Sequence, residues 1–307
     1  MKEKLVDLKD AIASHVHDGD SVVLGAGLEP DIPFAASYEL IRQGRRGLNM
    51  IAPISDASTD MLIGAGCVSD VTGAWVGNVS GGLAHNYRRA LEGASGPTVK
   101  VHDYSNFSLG MALLAGAYGM PYAPVRSILG SDILKSNPDL KLAENPFAAE
   151  KEPVVLVPPL QPDVAILSVQ RADRFGNNHH WGSAGLAAEA SAAAEKLIIL
   201  AEEIVAPEII TSDPSRVLAP GYLVTAVAHV PASVHPSPMT GIWRRDNAFF
   251  NAYHARSREP EGFQEWLDEW VLGLPDHAAY CEKLGATLAA LRIKGEALSA
   301  PANYAAV

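Results

Sequence analysis

Hydrophobic and polar positions alternate along the chain in the rhythm of strands and helices. Apolar residues recur at three- and four-residue steps from Leu5 to Val16, which predicts an amphipathic first helix. The run SVVLGAG at 21–27 predicts a buried strand closed by small residues, and Asp31 and Pro33 are expected to open the next helix as N-cap and early-turn residues. This strand–turn–helix succession then repeats.

The remaining elements follow the same pattern of apolar runs and helical spacing. Strands are predicted at 48–53, 68–76, 98–102, 153–160, 163–170, 196–205 and 223–230, and helices near 60–66, 85–93, 107–119 and 186–194. The strands are nearly continuous in apolar residues, which is typical of a sheet buried on both sides. The predicted fold class is α/β, a mostly parallel sheet with helices on both faces.

Two regions depart from the alternation. Residues 131–151 are polar and rich in turn residues, which predicts an excursion over the surface. Two helices are predicted in the C-terminal part, at 261–272 and 276–284, followed by a tail at 299–307. We expect a single domain over residues 1–307.

Composition limits the partners. The formal charge is −11 and no run of Lys or Arg occurs, which argues against a nucleic-acid partner. The N-terminus lacks the apolar region of a secretory signal, and the longest uncharged run, 107–125, is interrupted by glycines and two prolines. The two cysteines match no zinc or redox spacing. We therefore expect a cytoplasmic protein without a membrane or nucleic-acid partner.

Candidate binding residues follow the ends of predicted strands, because ligands of parallel sheets bind beyond the carboxyl ends of the strands. Gly25, Ala26 and Gly27 are small enough for backbone amides to approach a ligand, although no nucleotide motif is present and a tight packing turn would look the same. Two later loops offer polar side chains at such ends: Asn78, Ser80, Gly81 and Gly82, and then Asp103, Ser105 and Asn106. The alternatives are a flexible loop for the first set and an N-cap for the second.

The stretch SVQRADRFGNNHHWG, residues 168–182, raises the question of a metal. Adjacent His179 and His180 cannot share one face of a strand or helix, whereas metal-binding pairs usually stand two to four residues apart. No metal site is therefore predicted. No G-x-S-x-G motif occurs, and neither cysteine has a nucleophile signature, so no catalytic residue is assigned within this chain.

A resemblance emerges from the order of many segments. LKDAIASHVHDGDSVVLGAG, DMLIGAGCVSDV, HDYSNFSLGMALLAGAYGMPYAPV, NPFAAEKEPVVLVPPLQPDVAILSVQRADRFGN and LDEWVLGLPDHAAYCEKLGA together resemble the A (alpha) subunit of family I coenzyme A transferases, most of all the glutaconate type. The resemblance covers about residues 8–291. It implies a fold of the NagB/RpiA/CoA-transferase type.

The resemblance also implies a mechanism divided between two subunits. A glutamate of the partner beta subunit would attack an acyl-CoA, form a glutamyl-CoA thioester and pass CoA to a carboxylic acid. No bound cofactor is implied, since the CoA thioester is a substrate. The candidate loops of this chain would shape the acyl pocket, and whether the assembly is αβ or α2β2 stays open. The turn around Asp173 and Gly176 would be architectural, and replacing His179 and His180 by alanine is expected to leave the fold intact.

One loop departs from the glutaconate type. Its members are more basic at the positions matching 25–33, whereas Glu29 and Asp31 stand here, which predicts a less anionic acyl group. Arg126 is a candidate partner for a substrate carboxylate, with a surface salt bridge as the alternative.

Two other functions are considered. Related CoA-dependent hydrolases open a C–C bond in steroid rings and place an acid in the segment matching 103–108; here uncharged residues follow Asp103, which favours the transferase. A ligand sensor or scaffold of the same fold type would carry a DNA-binding helix-turn-helix, and residues 1–20 are too short for one.

Overall fold

The computed structural model describes residues 2–93, 98–295 and 297–301. The strands are β1 Ser21–Leu24, β2 Leu48–Ile54, β3 Val68–Trp75, β4 Lys100–Asp103, β5 Ala123–Val125, β6 Lys141–Glu144, β7 Pro153–Val157, β8 Val164–Ala172, β9 Asn178–His179, β10 Lys196–Ile204 and β11 Val224–His229. The helices are α1 Leu8–His15, α2 Phe34–Arg42, α3 Asp56–Gly64, α4 His85–Glu92, α5 Asn106–Ala117, α6 Ile133–Ser136, α7 Ala187–Ala193, α8 Pro207–Thr211, α9 Asn247–Arg256, α10 Pro260–Leu267, α11 His277–Leu284 and α12 Ala286–Leu291.

The main sheet has the strand order β11-β10-β8-β1-β2-β3-β4. All of these neighbours are parallel, and only the short β9 adds to β8 in the antiparallel direction. The predicted fold class is confirmed. The chain winds outward from β1 in one direction through β4 and in the other through β8, β10 and β11, so that the order reverses between β1 and β8.

Alternate residues of each central strand enter two cores on opposite faces of this sheet. Val22 and Leu24 of β1 belong to the first core, which is covered by α1, α2, α3 and the C-terminal helices. Val23 belongs to the second, which is covered by α5, α7 and a small second sheet. Burial on both faces explains why these strands read as unbroken apolar runs.

The second sheet differs from the sequence prediction. The apolar run at 153–160 predicts a further parallel strand, but β7 lies in a separate antiparallel sheet of order β5-β7-β6. Parallel strands need a helical crossover of a dozen or more residues, whereas between β5 and β7 the chain forms only the four-residue α6 and β6. The predicted excursion at 131–151 is therefore built in part from paired backbone, although Phe147 is 95% exposed.

Two further predictions are corrected near helix ends. Asp31 is not the N-cap of α2, which begins after Pro33; its φ of +63° lies in the left-handed region instead. The C-terminal part holds α9 and α12 besides the two predicted helices, and α9 escapes prediction because its aromatic residues are clustered rather than periodic. Of the predicted tail, residues 302–307 lie outside the described residues. Among the described helices, none combines the length and apolarity that crossing a membrane requires.

Candidate active site

The reversal of strand order between β1 and β8 marks a crevice at the carboxyl ends of these strands. Leu24, the last residue of β1, is level with Ile166, and β8 continues for six more residues to Ala172. The wall of β8 therefore rises beside the loop that leaves β1. Open parallel sheets bind ligands at such a reversal point, because the neighbouring loops diverge there.

The loop at 25–31 is held in an unusual backbone conformation. Gly25, Leu28 and Asp31 all have positive φ, at +50°, +73° and +63°. The Gly25 amide donates to the Ile166 carbonyl, and the Ala26 carbonyl accepts from the Leu186 amide. Left-handed conformations of side-chain-bearing residues cost free energy and persist only where the surroundings impose them. The predicted Gly25, Ala26 and Gly27 thus lie on a preorganised loop at the crevice.

A small cavity of about 10 Å³ lies between this loop and β8, large enough for one water molecule. Asp31 and His180 both line it, and His180 Nε2 lies 3.0 Å from Asp31 Oδ2. Both side chains are 5% exposed, and the second carboxylate oxygen of Asp31 is buried without a hydrogen bond. Burial raises the pKa of Asp31, while the hydrogen bond from His180 and its charge act in the opposite direction.

A second group of side chains joins this loop to its neighbours. Arg245 lies 2.8 Å from Asp56, which follows β2, and 3.3 Å from Glu29. Its guanidinium also donates to the Ser80 hydroxyl, in the loop after β3. Sequence reasoning missed Arg245 and Asp56, since 189 residues separate them and neither stands in a recognisable motif.

The loop after β3 is shaped by its own hydrogen bonds. Asn78 is buried; its amide donates to the Phe250 carbonyl, and its side-chain oxygen accepts from the amides of Ser80 and Gly81. Gly82 has a φ of +96° and closes the turn. Of the predicted set, Ser80 reaches the Arg245 group, while Asn78 holds the loop in place.

The predicted set Asp103, Ser105 and Asn106 lies elsewhere. These residues end β4 and begin α5, at the edge of the sheet and three strands from β1, roughly 14 Å away at ordinary strand spacing. Ser105 accepts from the Ser108 amide, and Ser108 reciprocates by accepting from the Ser105 amide. This reciprocal arrangement is a capping box, so the N-cap alternative accounts for Ser105.

We expect Ser105→Ala to lower the free energy of unfolding by about 1 kcal/mol, because two helix N–H groups lose their ordered partners. Ser105→Asp, which retains a capping oxygen, should keep most of that stability. Urea denaturation of the three proteins measures the difference. A loss of substrate affinity in both variants at unchanged stability would instead favour the binding role.

Arg126 also lies away from the crevice. It is on the exposed side of the small sheet, with 71% of its side chain exposed, and pairs with Glu152 at 2.8 Å. The structure therefore matches the surface salt bridge, a kind of pair that contributes little to stability. Beside it runs a groove of about 650 Å³ whose walls include the exposed Phe107 and Phe147.

The histidine pair has separate structural partners. Arg171 Nε donates to His179 Nδ1, and His179 Nε2 lies 2.9 Å from the Ile210 carbonyl, so both ring nitrogens are engaged. Asp173 accepts from the amides of Phe175 and Asn177, as the architectural interpretation of this turn predicts. Within the described ranges, no group of three or more His, Cys, Asp or Glu side chains could hold a metal ion.

Comparisons with known proteins agree with this geometry. Residues 5–229 match the family model "Coenzyme A transferase". The chain is 37% identical to the A (alpha) subunit of 3-oxoadipate CoA-transferase of Pseudomonas knackmussii, over 92% of this chain and 98% of that protein. A cholesterol ring-cleaving hydrolase subunit of Rhodococcus jostii is more distant, at 23% identity over 90% of this chain and 94% of that protein.

The fold comparison points the same way. The A (alpha) subunit of glutaconate CoA-transferase of Acidaminococcus fermentans is 35% identical, over 92% of both chains. The crystal structure of glutaconate coenzyme A-transferase from that organism superposes with a TM-score of 0.90, covering 99% of this chain and 100% of the matched chain. The family inferred from the ordered sequence segments is therefore confirmed: the chain belongs to the coenzyme A transferase family.

Proposed function

We propose that this chain is the alpha subunit of a two-subunit CoA-transferase that moves CoA from an acyl-CoA to a carboxylic acid. Support comes from its similarity to two proteins named as alpha-type subunits, each matched over more than nine-tenths of its length. The partner beta subunit supplies the nucleophilic glutamate. Gly25, Ala26, Gly27 and Ser80 of this chain face the acyl group at the crevice.

The observation that carries the proposal is the state of the carboxylates at the crevice. Glu29 and Asp56 pair with Arg245, and Asp31 pairs with His180. A carboxylate whose charge is neutralised by a close partner is a weak nucleophile, because the partner stabilises the ground state. The loop thus prepares a binding surface, and the attacking carboxylate comes from outside it.

The reaction then proceeds by exchange at the carbonyl carbon. The partner's glutamate oxygen bonds to the acyl carbon, and the C–S bond breaks to leave a mixed anhydride and CoA thiolate. The thiolate attacks the glutamyl carbonyl, which releases the first acid as its carboxylate and leaves glutamyl-CoA thioester. The second carboxylate attacks that thioester, and the same two steps in reverse order deliver its acyl-CoA and restore the glutamate.

Co-expression with the product of the neighbouring gene tests the proposal. The purified complex, incubated with an acyl-CoA and an isotopically labelled acid, is expected to yield labelled acyl-CoA. Neither protein should do so by itself. When the complex is incubated with acyl-CoA alone, mass spectrometry should show a covalent CoA adduct on the beta subunit. Release of free CoA without labelled thioester would contradict transfer and identify hydrolysis.

A further inference from the structure

The guanidinium of Arg245 stands where the loops after β1, β2 and β3 meet. Two of its nitrogens are fully engaged: Nη2 donates to Asp56 Oδ2 at 2.8 Å and to Ser80 Oγ at 3.1 Å, and Nε donates to Ser80 Oγ at 3.2 Å. The guanidinium carbon lies 3.9 Å from the centre of the Phe250 ring. These contacts fix the position and plane of the cation, with 12% of the side chain exposed.

The third nitrogen, Nη1, has no such partner. It is buried without a hydrogen bond, and its nearest carboxylate oxygen, Glu29 Oε1, is 3.3 Å away. A buried N–H that lacks an acceptor is costly, and a group of this kind in a folded protein calls for an explanation. Its place at the crevice points to a ligand oxygen.

The two carboxylates beside Arg245 are not equivalent. Asp56 is fully buried, and its second oxygen accepts from the Val79 amide. Glu29 is 46% exposed. An exposed ion pair contributes little, because water competes for both charges and the flexible side chain loses entropy in the pair. Glu29 can therefore swing into solvent, whereas Asp56 cannot.

We propose that Arg245 Nη1 binds a second carboxylate of the acid substrate, one that does not react with CoA, and that Glu29 occupies this place until the substrate displaces it. The exchange replaces one carboxylate by another, so the charge balance around the guanidinium is unchanged. This inference rests on the proposed function and names its substrate class as dicarboxylic acids. It also reverses the expectation of a less anionic acyl group, since the acids of the 25–33 loop are both paired.

The test compares pentanoate with pentanedioate, two five-carbon acids that differ by one carboxylate. The ratio of their kcat/KM values as CoA acceptors is measured on the two-subunit complex, and the ratio of their Kd values is measured by calorimetry. Arg245→Gln is expected to lower the preference for pentanedioate at least tenfold, since a charge-assisted contact is lost. Glu29→Gln should raise it about two- to fivefold, because the competing charge is gone.

Two further variants keep the result interpretable. Asp56→Asn combined with Arg245→Gln removes the buried charge that the single variant would leave unpaired, and it should show the same loss of preference. Glu261→Gln, at an exposed position on α10, controls for surface charge. Unchanged ratios in both Arg245 variants, or equal shifts for the two acids, would overturn the inference. Transfer of CoA to pentanoate would still uphold the proposed function in that case.

Discussion

Gly25→Ala is expected to destabilise the chain by about 3 kcal/mol and to abolish transfer activity of the complex. A Cβ atom at this position would lie 2.7 Å from Pro33 Cδ and 2.8 Å from the Ile32 Cα. Both neighbours belong to or are fixed by the backbone of the loop, so relief requires the loop to move. The positive φ of Gly25 adds a conformational penalty for alanine.

Gly119→Ala separates these two causes. Gly119 has a similar φ of +64°, but an added Cβ would meet nothing within 4 Å. Its substitution should therefore cost only the conformational penalty, about 1 kcal/mol, and leave activity intact. Urea denaturation gives the stabilities, and steady-state kinetics of the complex gives the activity. Equal destabilisation by the two substitutions would show that the loop is less tightly confined than its contacts indicate.

The main sheet could be predicted from sequence because its signal is local. Burial on both faces makes each strand an apolar run, and the predicted limits of β8, 163–170, fall within two residues of Val164–Ala172. The loop at 25–27 could be located for the same reason, since small residues follow directly after such a run. The family followed from the order of these segments.

The side-chain pairs at the crevice could not be predicted in this way. Asp31 resembles an N-cap in sequence because it precedes Pro33, and nothing nearby indicates that it meets His180, 149 residues along the chain. The same distance problem hides Arg245 from Asp56. Ser105 shows the opposite error, where a local capping pattern at the end of a strand resembles a binding site. Long-range pairs depend on how loops from different strands converge, which local periodicity does not record.

The pair of His180 and Asp31 carries the other large expected effect. We expect His180→Ala to destabilise the chain by about 3 kcal/mol, because it leaves the Asp31 carboxylate buried without its partner. The burial of both histidines thus reverses the sequence-based expectation that they can be replaced without harm to the fold. Asp31→Asn suits the left-handed backbone at this position, since asparagine tolerates positive φ.

The pH dependence identifies the cause of that loss. Burial raises the pKa of Asp31 above its ordinary value of 3.8, and removing His180 takes away the groups that lower it. A carboxyl whose pKa is raised on folding contributes stability below its unfolded pKa and loses that contribution as the pH rises through the folded pKa. His180→Ala should therefore become progressively less stable with rising pH than His180→Ala combined with Asp31→Asn, which cannot ionise at this position.

Urea denaturation of these two variants between about pH 4 and pH 8 measures the gap directly, over the range in which a raised carboxyl pKa falls. Both lack His180, so the imidazole cannot contribute to the difference between them. A gap that widens with pH shows that the imidazole stabilises the ionised Asp31 beneath the binding loop. A constant gap would mean that the histidine acts through packing alone, and the loop at 25–31 would then owe its conformation to its backbone hydrogen bonds.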